Sequence, residues 1–591
     1  MYIKPIKLHL DLEKLIFVNI FFLFVIPQLN NVHYDPLPQF WAEISAVCGI
    51  ISLFFITISY TQKILIPRFA ILILVFIVYL LIQQQIKQLD FVGLMYVACL
   101  EFLLCFILAI CMVSIEQKIG LDKLSYYITI SILIGSIIQS LIGLLQYTGL
   151  YKYLGDLIFY DSAHPTTDIF GHFGQRNHYC HYLTWGIFAT IYLFFKNKIS
   201  RPIFLIIIVW LTFSLTIAGS RSILLYFATS IIIFSLFALK NKALTRPLIT
   251  ICTISIFILL FGYLYPIMIK LFTHIHQVDS GVTRLSTESA EGGLIGRRMT
   301  EWLKAIVIFK QHPLIGAGWN TFAHNSVYLQ PLFPNAPQNS GLFTNCHNLI
   351  LQLLAETGII GLVIILYSLC LSIYNLIKNK CLETAIILSM AFTTIDHSML
   401  EYPLWYLYFL APFIMFLSIK QNYWIFKMQR TLITILATLV ICLIPIIIIN
   451  SITFEHLVDI NDPPTDKNEF KNNIHYLMQL SNKQILWTYP SLYVLDNYNN
   501  VDNKLTDENL SIKEQLDLVT RFTNYHPYPM DLINQAMLNW KVGNKKLAFD
   551  LVNLALIAYP VYKETYLSTL KDKRYKELYK IVANFNKSTT P

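Results

Sequence analysis

The sequence predicts an all-α integral membrane protein with about 13 transmembrane helices, a large loop outside the membrane and a C-terminal soluble helical domain. Of its 591 residues, 55% are hydrophobic and only 13% are charged, whereas a soluble domain carries roughly a quarter charged residues. The apolar residues come in continuous blocks of about 20, the length that a helix needs to cross a bilayer. Because these blocks do not alternate with polar residues, they predict helices and not strands.

Lysine and arginine in the short loops predict the orientation of the chain. Basic residues precede the first span and follow every second one, as Lys63 with Arg68 and Lys196 with Arg201 illustrate. Such loops stay in the cytoplasm, so the alternate loops lie outside, and an odd number of spans places residues 451–591 outside too. Much of the net charge of +9 lies in the basic loops, against anionic lipid. No nucleic-acid partner is therefore expected.

The pattern divides the chain into a polytopic transmembrane domain, residues 1–450, and an external helical domain, residues 451–591. Two external loops are long and cover about residues 151–177 and 271–346. All other connections between the apolar blocks are short. The long loops are therefore the places where a site outside the membrane is expected.

Local periodicity predicts helices outside the apolar blocks. Apolar residues recur at helical spacing over residues 298–309, which predicts a surface helix within the second long loop. Residues 531–560 predict two short helices joined near Gly543, similar to one tetratricopeptide-type hairpin. We therefore expect a small helical domain at the C-terminus that could serve as a docking surface for protein.

Polar side chains crowd the start of the sixth span. Gln175, Arg176 and Asn177 follow one another directly after Gly174. Tyrosine and histidine nearby would fit an interfacial anchor belt, but that alternative does not explain the three consecutive polar residues. Polar groups at membrane depth usually serve a site, so we favour a functional role.

Two arginines are candidates for binding an anion. Arg221 lies in a very short loop at the outer headgroup plane, where it can snorkel to lipid phosphate or hold a lipid-carried diphosphate with its planar fork. Arg298 lies near the start of the predicted loop helix, and a helix N-terminus favours phosphate. Glu301 could instead pair with one of the arginines in that helix.

Two further clusters carry histidine and acidic side chains. His347 opens the tenth span, and its imidazole titrates near neutrality, which suits proton removal from a hydroxyl. A hydrogen-bonded structural role is the alternative. Asp396, His397 and Glu401 lie between the eleventh and twelfth spans, where their charges must be paired with other polar groups or hydrated. No metal-ligand spacing such as His-x-x-x-His is present, so we expect neither a metal nor a cofactor.

These motifs together resemble the O-antigen ligase superfamily, above all its bacterial O-linked oligosaccharyltransferase branch, the PglL type. The resemblance covers most of residues 20–450. It is carried by Gly174-Gln175-Arg176-Asn177-His178, Ser220-Arg221, Arg298 with Trp302, His312-Pro313-Leu314-Ile315-Gly316-Ala317-Gly318, Cys346-His347-Asn348 and His397-Ser398-Met399-Leu400-Glu401-Tyr402-Pro403-Leu404-Trp405-Tyr406. The run from His312 to Gly318 is shared with lipopolysaccharide ligases and polysaccharide polymerases and does not separate these classes.

The resemblance implies a metal-independent, inverting glycosyltransferase of the bacterial inner membrane, with its active site facing the periplasm. It would move a preassembled oligosaccharide from undecaprenyl diphosphate to Ser or Thr of a periplasmic or pilin-type protein. His347 aligns with the family's essential histidine, and Arg221 and Arg298 align with its diphosphate-binding arginines. The residues then expected to position substrate are Gln175, Arg176, Asn177, Tyr402, Glu401 and His397.

Three other functions compete with this prediction. A lipopolysaccharide O-antigen ligase uses the same donor and chemistry with a different acceptor. A repeat-unit polymerase extends the glycan on its carrier without a protein acceptor. A transporter or flippase would place broken helices and charges at mid-membrane, whereas the charges here lie at the outer edge of the predicted spans.

Overall fold

The computed structural model describes residues 11–61, 63–89, 91–160, 169–272, 294–334, 336, 341–427 and 429–585. Its first helices are α1 (Leu12–Val25), α2 (Phe40–Tyr60), α3 (Ile71–Lys87), α4 (Val92–Ile119), α5 (Leu121–Thr148), α6 (Arg176–Phe195), α7 (Arg201–Ala218), α8 (Ser222–Ala238) and α9 (Thr245–Phe272). They are followed by α10 (Leu294–Gln311), α11 (Phe322–Leu329), α12 (Leu349–Lys378), α13 (Leu382–Ser398), α14 (Leu407–Leu417) and α15 (Arg430–Asp459).

Nine helices in the described part of the chain are long and apolar enough to cross a membrane, namely α1 to α5, α7, α9, α12 and α15. These helices confirm the prediction of a multi-pass membrane protein. The predicted number of about 13 spans also requires α6, α8, α13 and α14. Helices α8 and α14 are apolar but shorter, while α6 and α13 carry polar side chains on buried faces. The count of 13 remains a prediction.

A small sheet departs from the all-α prediction. Strands β1 (Lys63–Pro67) and β2 (Tyr423–Lys427) pair antiparallel, with Ile64 opposite Phe426 and Leu65 opposite Ile425. β-branched and aromatic residues fit such a ladder. Each strand is only five residues long, and its partner is distant in the chain. No local sequence pattern therefore predicts the pairing.

The last described part of the chain is helical, as predicted. Its helices are α16 (Lys467–Lys483), α17 (Thr488–Tyr498), α18 (Lys504–Asn509), α19 (Ile512–Thr523), α20 (Pro529–Lys541), α21 (Lys545–Ala558), α22 (Lys563–Thr569) and α23 (Lys576–Asn584). Helices α20 and α21 are the predicted pair, and Gly543 joins them with a φ of 90° that favours glycine. The proposed domain boundary at residue 450 falls inside α15, which continues without a break to Asp459.

The C-terminal helices pack on the second long loop. Their core contains Leu532, Ala536 and Leu551, and it also includes Val327 from α11. Leu342, five residues before His347, packs against the same core. The segment that leads to His347 is therefore held on one side by the C-terminal helices.

A break in helix α12 positions the other end of this loop. Gly358 interrupts the helix with a φ of 63°, and residues 312–318 dock into the break. Ala317 donates a backbone hydrogen bond of 2.9 Å to α12, and a Cβ added to Gly316 would lie 2.3 Å from backbone atoms of Glu356. The His-Pro-x-x-Gly-x-Gly run therefore has a structural role, because it ties the end of α10 to the helix that begins beside His347.

Candidate active site

Glu401 is the residue on which the polar clusters converge. Its carboxylate accepts a hydrogen bond of 3.1 Å from Nδ2 of Asn177 and pairs with the guanidinium of Arg298. The other carboxylate oxygen lies 3.3 Å from Nε2 of His347. The side chain of Glu401 is only 5% exposed, and a charge so far from water is stable only with partners of this kind. Three segments that are distant in the chain thus meet at one carboxylate.

The turn after helix α13 presents Glu401. The backbone N–H of Glu401 donates to the carbonyl oxygen of His397 at 2.8 Å, which extends the helical end by one turn. Pro403 then starts a short 3-10 turn. Nδ2 of Asn348 donates to the carbonyl oxygen of Met399 at 3.5 Å, so the turn is tied to the loop that carries His347.

The backbone fixes His347 on both sides. His347 has a φ of 57°, in the left-handed region that non-glycine residues seldom adopt and that is common at functional sites. Before it, the N–H of Cys346 donates to the side chain of Gln352 at 2.8 Å. After it, Asn348 caps helix α12 and accepts from the N–H of Leu351 at 3.1 Å. Its neighbours therefore hold the unusual conformation in place.

The imidazole of His347 lies between two oxygen acceptors. Nδ1 is 3.0 Å from the carbonyl oxygen of Asn345, and Nε2 faces Glu401. A protonated ring donates to both oxygens, whereas a neutral ring that donates through Nδ1 keeps Nε2 as an acceptor. Burial lowers the pKa of His347; the Glu401 carboxylate opposes this shift, and Arg298 adds to it. The net shift favours the neutral ring at neutral pH, which is the form that a general base requires.

Asn177 connects this centre to the loop of Arg221. The hydroxyl of Ser220 donates to Oδ1 of Asn177 at 2.7 Å, while Nδ2 of the same amide donates to Glu401. Arg221 follows Ser220 directly, stands at the first position before helix α8 and is partly exposed. The loop of Arg221 is thereby brought beside the site, although its part in binding diphosphate stays a prediction.

Tyr402 lies against the histidine. Its ring centre is 5.2 Å from that of His347, and the two rings meet edge to face at 82°. Burial and the adjacent Glu401 carboxylate raise the pKa of Tyr402. Its hydroxyl therefore stays protonated and can donate a hydrogen bond to a ligand.

The other predicted positioning residues differ in their surroundings. Gln175 stands at the N-cap of α6, and its buried side-chain oxygen has no hydrogen-bond partner among the described residues. Arg176 is the first residue of α6 and is partly exposed. His397 is fully buried, with its Nδ1 2.9 Å from Nδ1 of His181. It lies within the helix bundle behind Glu401, and its assignment to substrate positioning stays a prediction.

Glu301 pairs with a residue that the sequence did not point to. It does not need either arginine, because Nζ of Lys304 donates to one carboxylate oxygen at 2.6 Å and the hydroxyl of Ser326 donates to the other at 2.5 Å. Glu301 and Lys304 are three residues apart on α10, a spacing at which helical side chains meet. That spacing was the signal available in the sequence. The pairing leaves Arg298 to Glu401.

No group of three or more His, Cys, Asp or Glu side chains that could hold a metal ion occurs among the residues described. The buried charges at this site are instead neutralised by one another. Arg298 and the imidazole of His347 are the cationic or potentially cationic partners of Glu401.

Three family models match separate parts of the chain. A model described as O-antigen ligase matches residues 206–366, and one described as protein glycosylation ligase matches residues 169–194. A third, the C-terminal part of a virulence factor membrane-bound polymerase, matches residues 387–570. Together they cover the second half of the transmembrane region and most of the C-terminal helices.

Two curated relatives come from Acinetobacter baylyi. The chain is 26% identical to a ComP-specific O-oligosaccharyltransferase over 402 residues, which are 67% of this chain and 68% of the relative. It is 24% identical to a general O-oligosaccharyltransferase over 288 residues, 47% of each protein. The match thus spans about two thirds of the first relative and about half of the second.

Each of the three family matches contributes to the site around Glu401. Asn177 lies in the protein glycosylation ligase match, Arg298 and His347 lie in the O-antigen ligase match, and Glu401 itself lies in the polymerase match. The resemblance seen in the sequence motifs is confirmed. The chain is similar to O-antigen ligases over residues 206–366 and to protein glycosylation ligases over residues 169–194.

Proposed function

We propose that this protein is an O-oligosaccharyltransferase that moves a preassembled glycan from undecaprenyl diphosphate to Ser or Thr of exported proteins. The observation that carries the proposal is the carboxylate of Glu401, which pairs with Arg298 on one oxygen and faces His347 with the other. Arg298 would be the cation that stabilises the leaving diphosphate, and His347 would be the base for the entering hydroxyl. The two residues lie on opposite sides of Glu401. The two relatives named as O-oligosaccharyltransferases support the same activity.

The arginines would serve the leaving group. When the bond between the anomeric carbon and the diphosphate oxygen breaks, negative charge grows on the diphosphate, and preorganised cations stabilise that charge. Guanidinium is permanently charged and its planar fork fits phosphate oxygens. Arg298 and Arg221 can therefore provide the stabilisation without a metal ion.

His347 would serve the nucleophile. The acceptor hydroxyl loses its proton to Nε2 as its oxygen forms the new bond to the anomeric carbon. The neutral tautomer that donates from Nδ1 to the carbonyl oxygen of Asn345 is the one in which Nε2 can accept this proton. Because the hydroxyl enters opposite the leaving diphosphate, a single displacement inverts the configuration at that carbon. Gln175 and Tyr402 would orient sugar or acceptor through hydrogen bonds.

We further propose that α6, α8, α13 and α14 complete a set of 13 spans. Their buried surfaces within the bundle support this count. The basic loops then face the cytoplasm, and the site faces the periplasm of the bacterial inner membrane. Residues 451–591 would form a periplasmic helical domain beside the site, where a periplasmic or pilin-type acceptor could dock.

A lipopolysaccharide O-antigen ligase is the second candidate. It is favoured by the O-antigen ligase match over residues 206–366, which contains Arg221, Arg298 and His347. The donor and the chemistry would be the same, so the geometry of these three residues does not distinguish the two functions. The two functions differ in the acceptor, which is a protein in one and lipopolysaccharide in the other.

Transfer by the purified protein tests the proposal. The protein in detergent is given a lipid-linked oligosaccharide together with either an exported acceptor protein or lipopolysaccharide core. We expect the intact mass of the acceptor protein to rise by one glycan and the mass of the core to stay unchanged. Transfer to the core alone would establish the second candidate, and glycan extension on the carrier without either acceptor would indicate a polymerase.

A further inference from the structure

An apolar cavity lies between helices α8 and α9. It has a volume of about 250 Å³ and is lined on α8 by a stripe that runs from Ile223 to Ile231. Ser255, Ile258 and Leu259 of α9 face this stripe. The hydroxyl of Ser255 is already donated to a carbonyl oxygen of its own helix at 2.8 Å. The cavity therefore offers hydrocarbon walls.

This cavity begins at the loop of Arg221. Ile223 is the second residue after Arg221, and Phe227 and Ile231 continue the stripe one and two turns further along α8. Ser220, on the other side of Arg221, is hydrogen-bonded to Asn177. The apolar cavity and the polar, cationic site thus lie next to each other at the start of helix α8. A ligand that spans both must carry an anionic head on a hydrocarbon chain.

The two oxygens of Glu401 divide the site into two sides. Asn177 and Arg298 donate hydrogen bonds to Oε1. Asn177 also accepts a hydrogen bond from Ser220, which lies just before helix α8. His347 faces Oε2 and lies two residues before the start of helix α12. In a direct displacement the entering hydroxyl and the leaving diphosphate lie on opposite faces of the anomeric carbon. The lipid diphosphate of the donor then leaves on the side of the site that holds Arg298 and helix α8.

A second cavity, on the side of His347, has a mostly apolar lining that also includes polar side chains. It has a volume of about 280 Å³, and its lining includes Leu349 and Trp405, which closely follow His347 and Tyr402 in the chain. Glu101 also belongs to the lining. The buried indole N–H of Trp405 has no hydrogen-bond partner among the residues that the structure describes. A lipid chain would leave this N–H without a hydrogen-bond partner, whereas the described lining of the cavity between α8 and α9 presents no such group.

We infer that the cavity between α8 and α9 binds the first isoprenoid units of the donor lipid, with its diphosphate beside Arg221 and Arg298. The inference rests on the proposed function, because it assigns one part of the proposed donor to one part of the site. Burial of the branched isoprenoid chain against aliphatic walls would provide apolar contact. The polar head then arrives at the side of Glu401 that faces the arginines.

Filling the cavity tests the inference. Ala228 lines it from an exposed position of α8, so Ala228→Trp adds a ring to the cavity without replacing a core residue. Two controls carry the same new ring. Leu225→Trp lies on α8 at a position that is 40% exposed and outside the cavity lining, and Val97→Trp lies in the second cavity.

Two measurements separate lipid binding from chemistry. The first is the KM for the undecaprenyl diphosphate donor compared with that for the same glycan on methyl diphosphate, which carries no isoprenoid chain. The second is the Kd of undecaprenyl diphosphate itself. In Ala228→Trp we expect the KM for the lipid donor and this Kd to rise about tenfold, the scale of a small steric change in an apolar pocket. The methyl donor and both control variants should behave like the parent.

Three results would overturn the lipid site: an unchanged Kd in Ala228→Trp, an equal loss with both donors, or a selective loss in Val97→Trp alone. Failure of the proposed function has a different signature. A parent protein that transfers no glycan, yet binds undecaprenyl diphosphate with an affinity that Ala228→Trp weakens, would support the lipid site and contradict the transferase activity.

Discussion

Two buried carboxylates near helix α10 show how a structural ion pair differs from a candidate active site. The carboxylate of Glu301 is held by Lys304 and Ser326, and the side chains of both Glu301 and Lys304 are 1% exposed. The side chain of Glu401 is also buried, at 5% exposed, but Arg298 is 22% exposed and His347 is 16% exposed. The first pair is sealed, whereas the partners of the second can be reached by a ligand. A buried acid points to function here only because its partners open to solvent.

Replacing the histidine should produce the largest effect. His347→Ala removes the proposed base, so we expect the rate of glycan transfer to fall by about 10²–10⁴-fold, while the protein inserts and melts like the parent. The rate is measured as intact mass against time. His324→Ala, in α11 and away from Glu401, is the control, and a rate for His347→Ala close to that of the parent would remove its role.

Breaking the sealed pair should affect stability and leave the chemistry intact. Lys304→Met leaves Glu301 as an unpaired buried charge, which is expected to lower the free energy of unfolding by about 3–5 kcal/mol. Denaturant and thermal melting in detergent measure this loss. The transfer rate per folded molecule should stay near that of the parent.

A double replacement sharpens the interpretation of that result. Glu301→Gln combined with Lys304→Met removes both charges, so most of the lost stability should return. If Lys304→Met instead melts like the parent but loses transfer, the contrast between the two carboxylates would be wrong, because the pair that we regard as sealed would take part in the reaction.

Exchanging the arginine tests whether its shape is needed in addition to its charge. Arg298→Lys keeps one positive charge but loses the planar fork that matches phosphate. We expect the transfer rate to fall by about 10–100-fold, on the scale of losing one to two charge-assisted hydrogen bonds. Lys310→Met, in the last turn of α10, is the matched control and should have no effect. Full activity in Arg298→Lys would argue against direct contact with the diphosphate.

The same test applies to Arg221, for which the sequence left two alternatives. Arg221→Lys should reduce transfer if the side chain holds the diphosphate. An arginine that only snorkels to lipid phosphate is replaced by lysine at little cost, because lysine also reaches the headgroups. The ratio of the transfer rates of Arg221→Lys and Arg298→Lys therefore shows whether both arginines serve the leaving group.

The sequence predicted what local patterns determine. The apolar blocks, the helix over residues 298–309 and the pair of helices around Gly543 follow from periodicity and turn chemistry within short windows, and each is present. Family motifs also selected Asn177 and Glu401, although they are 224 residues apart. Their direct hydrogen bond was not predicted, because it depends on how α6 and α13 pack.

Long-range contacts account for the features that the sequence did not predict. The ladder between β1 and β2 joins segments after two distant spans, and neither strand could form without the other. The burial of His397 against His181 depends on the contact between α13 and α6. The central place of Glu401 likewise arises from tertiary packing, since its neighbours in the chain reveal only that a charge there must be satisfied.

The pH dependence of transfer tests most directly whether Glu401 governs the histidine. Burial lowers the pKa of His347 below its usual value, and Glu401 counteracts that shift. The neutral ring is the proposed base, so kcat/KM should decline as the pH falls through the pKa of His347. In Glu401→Gln the counteracting charge is gone, the pKa of His347 falls further, and the acid limb of the residual activity should move to lower pH. An acid limb that stays in place, or that moves to higher pH, would contradict the account.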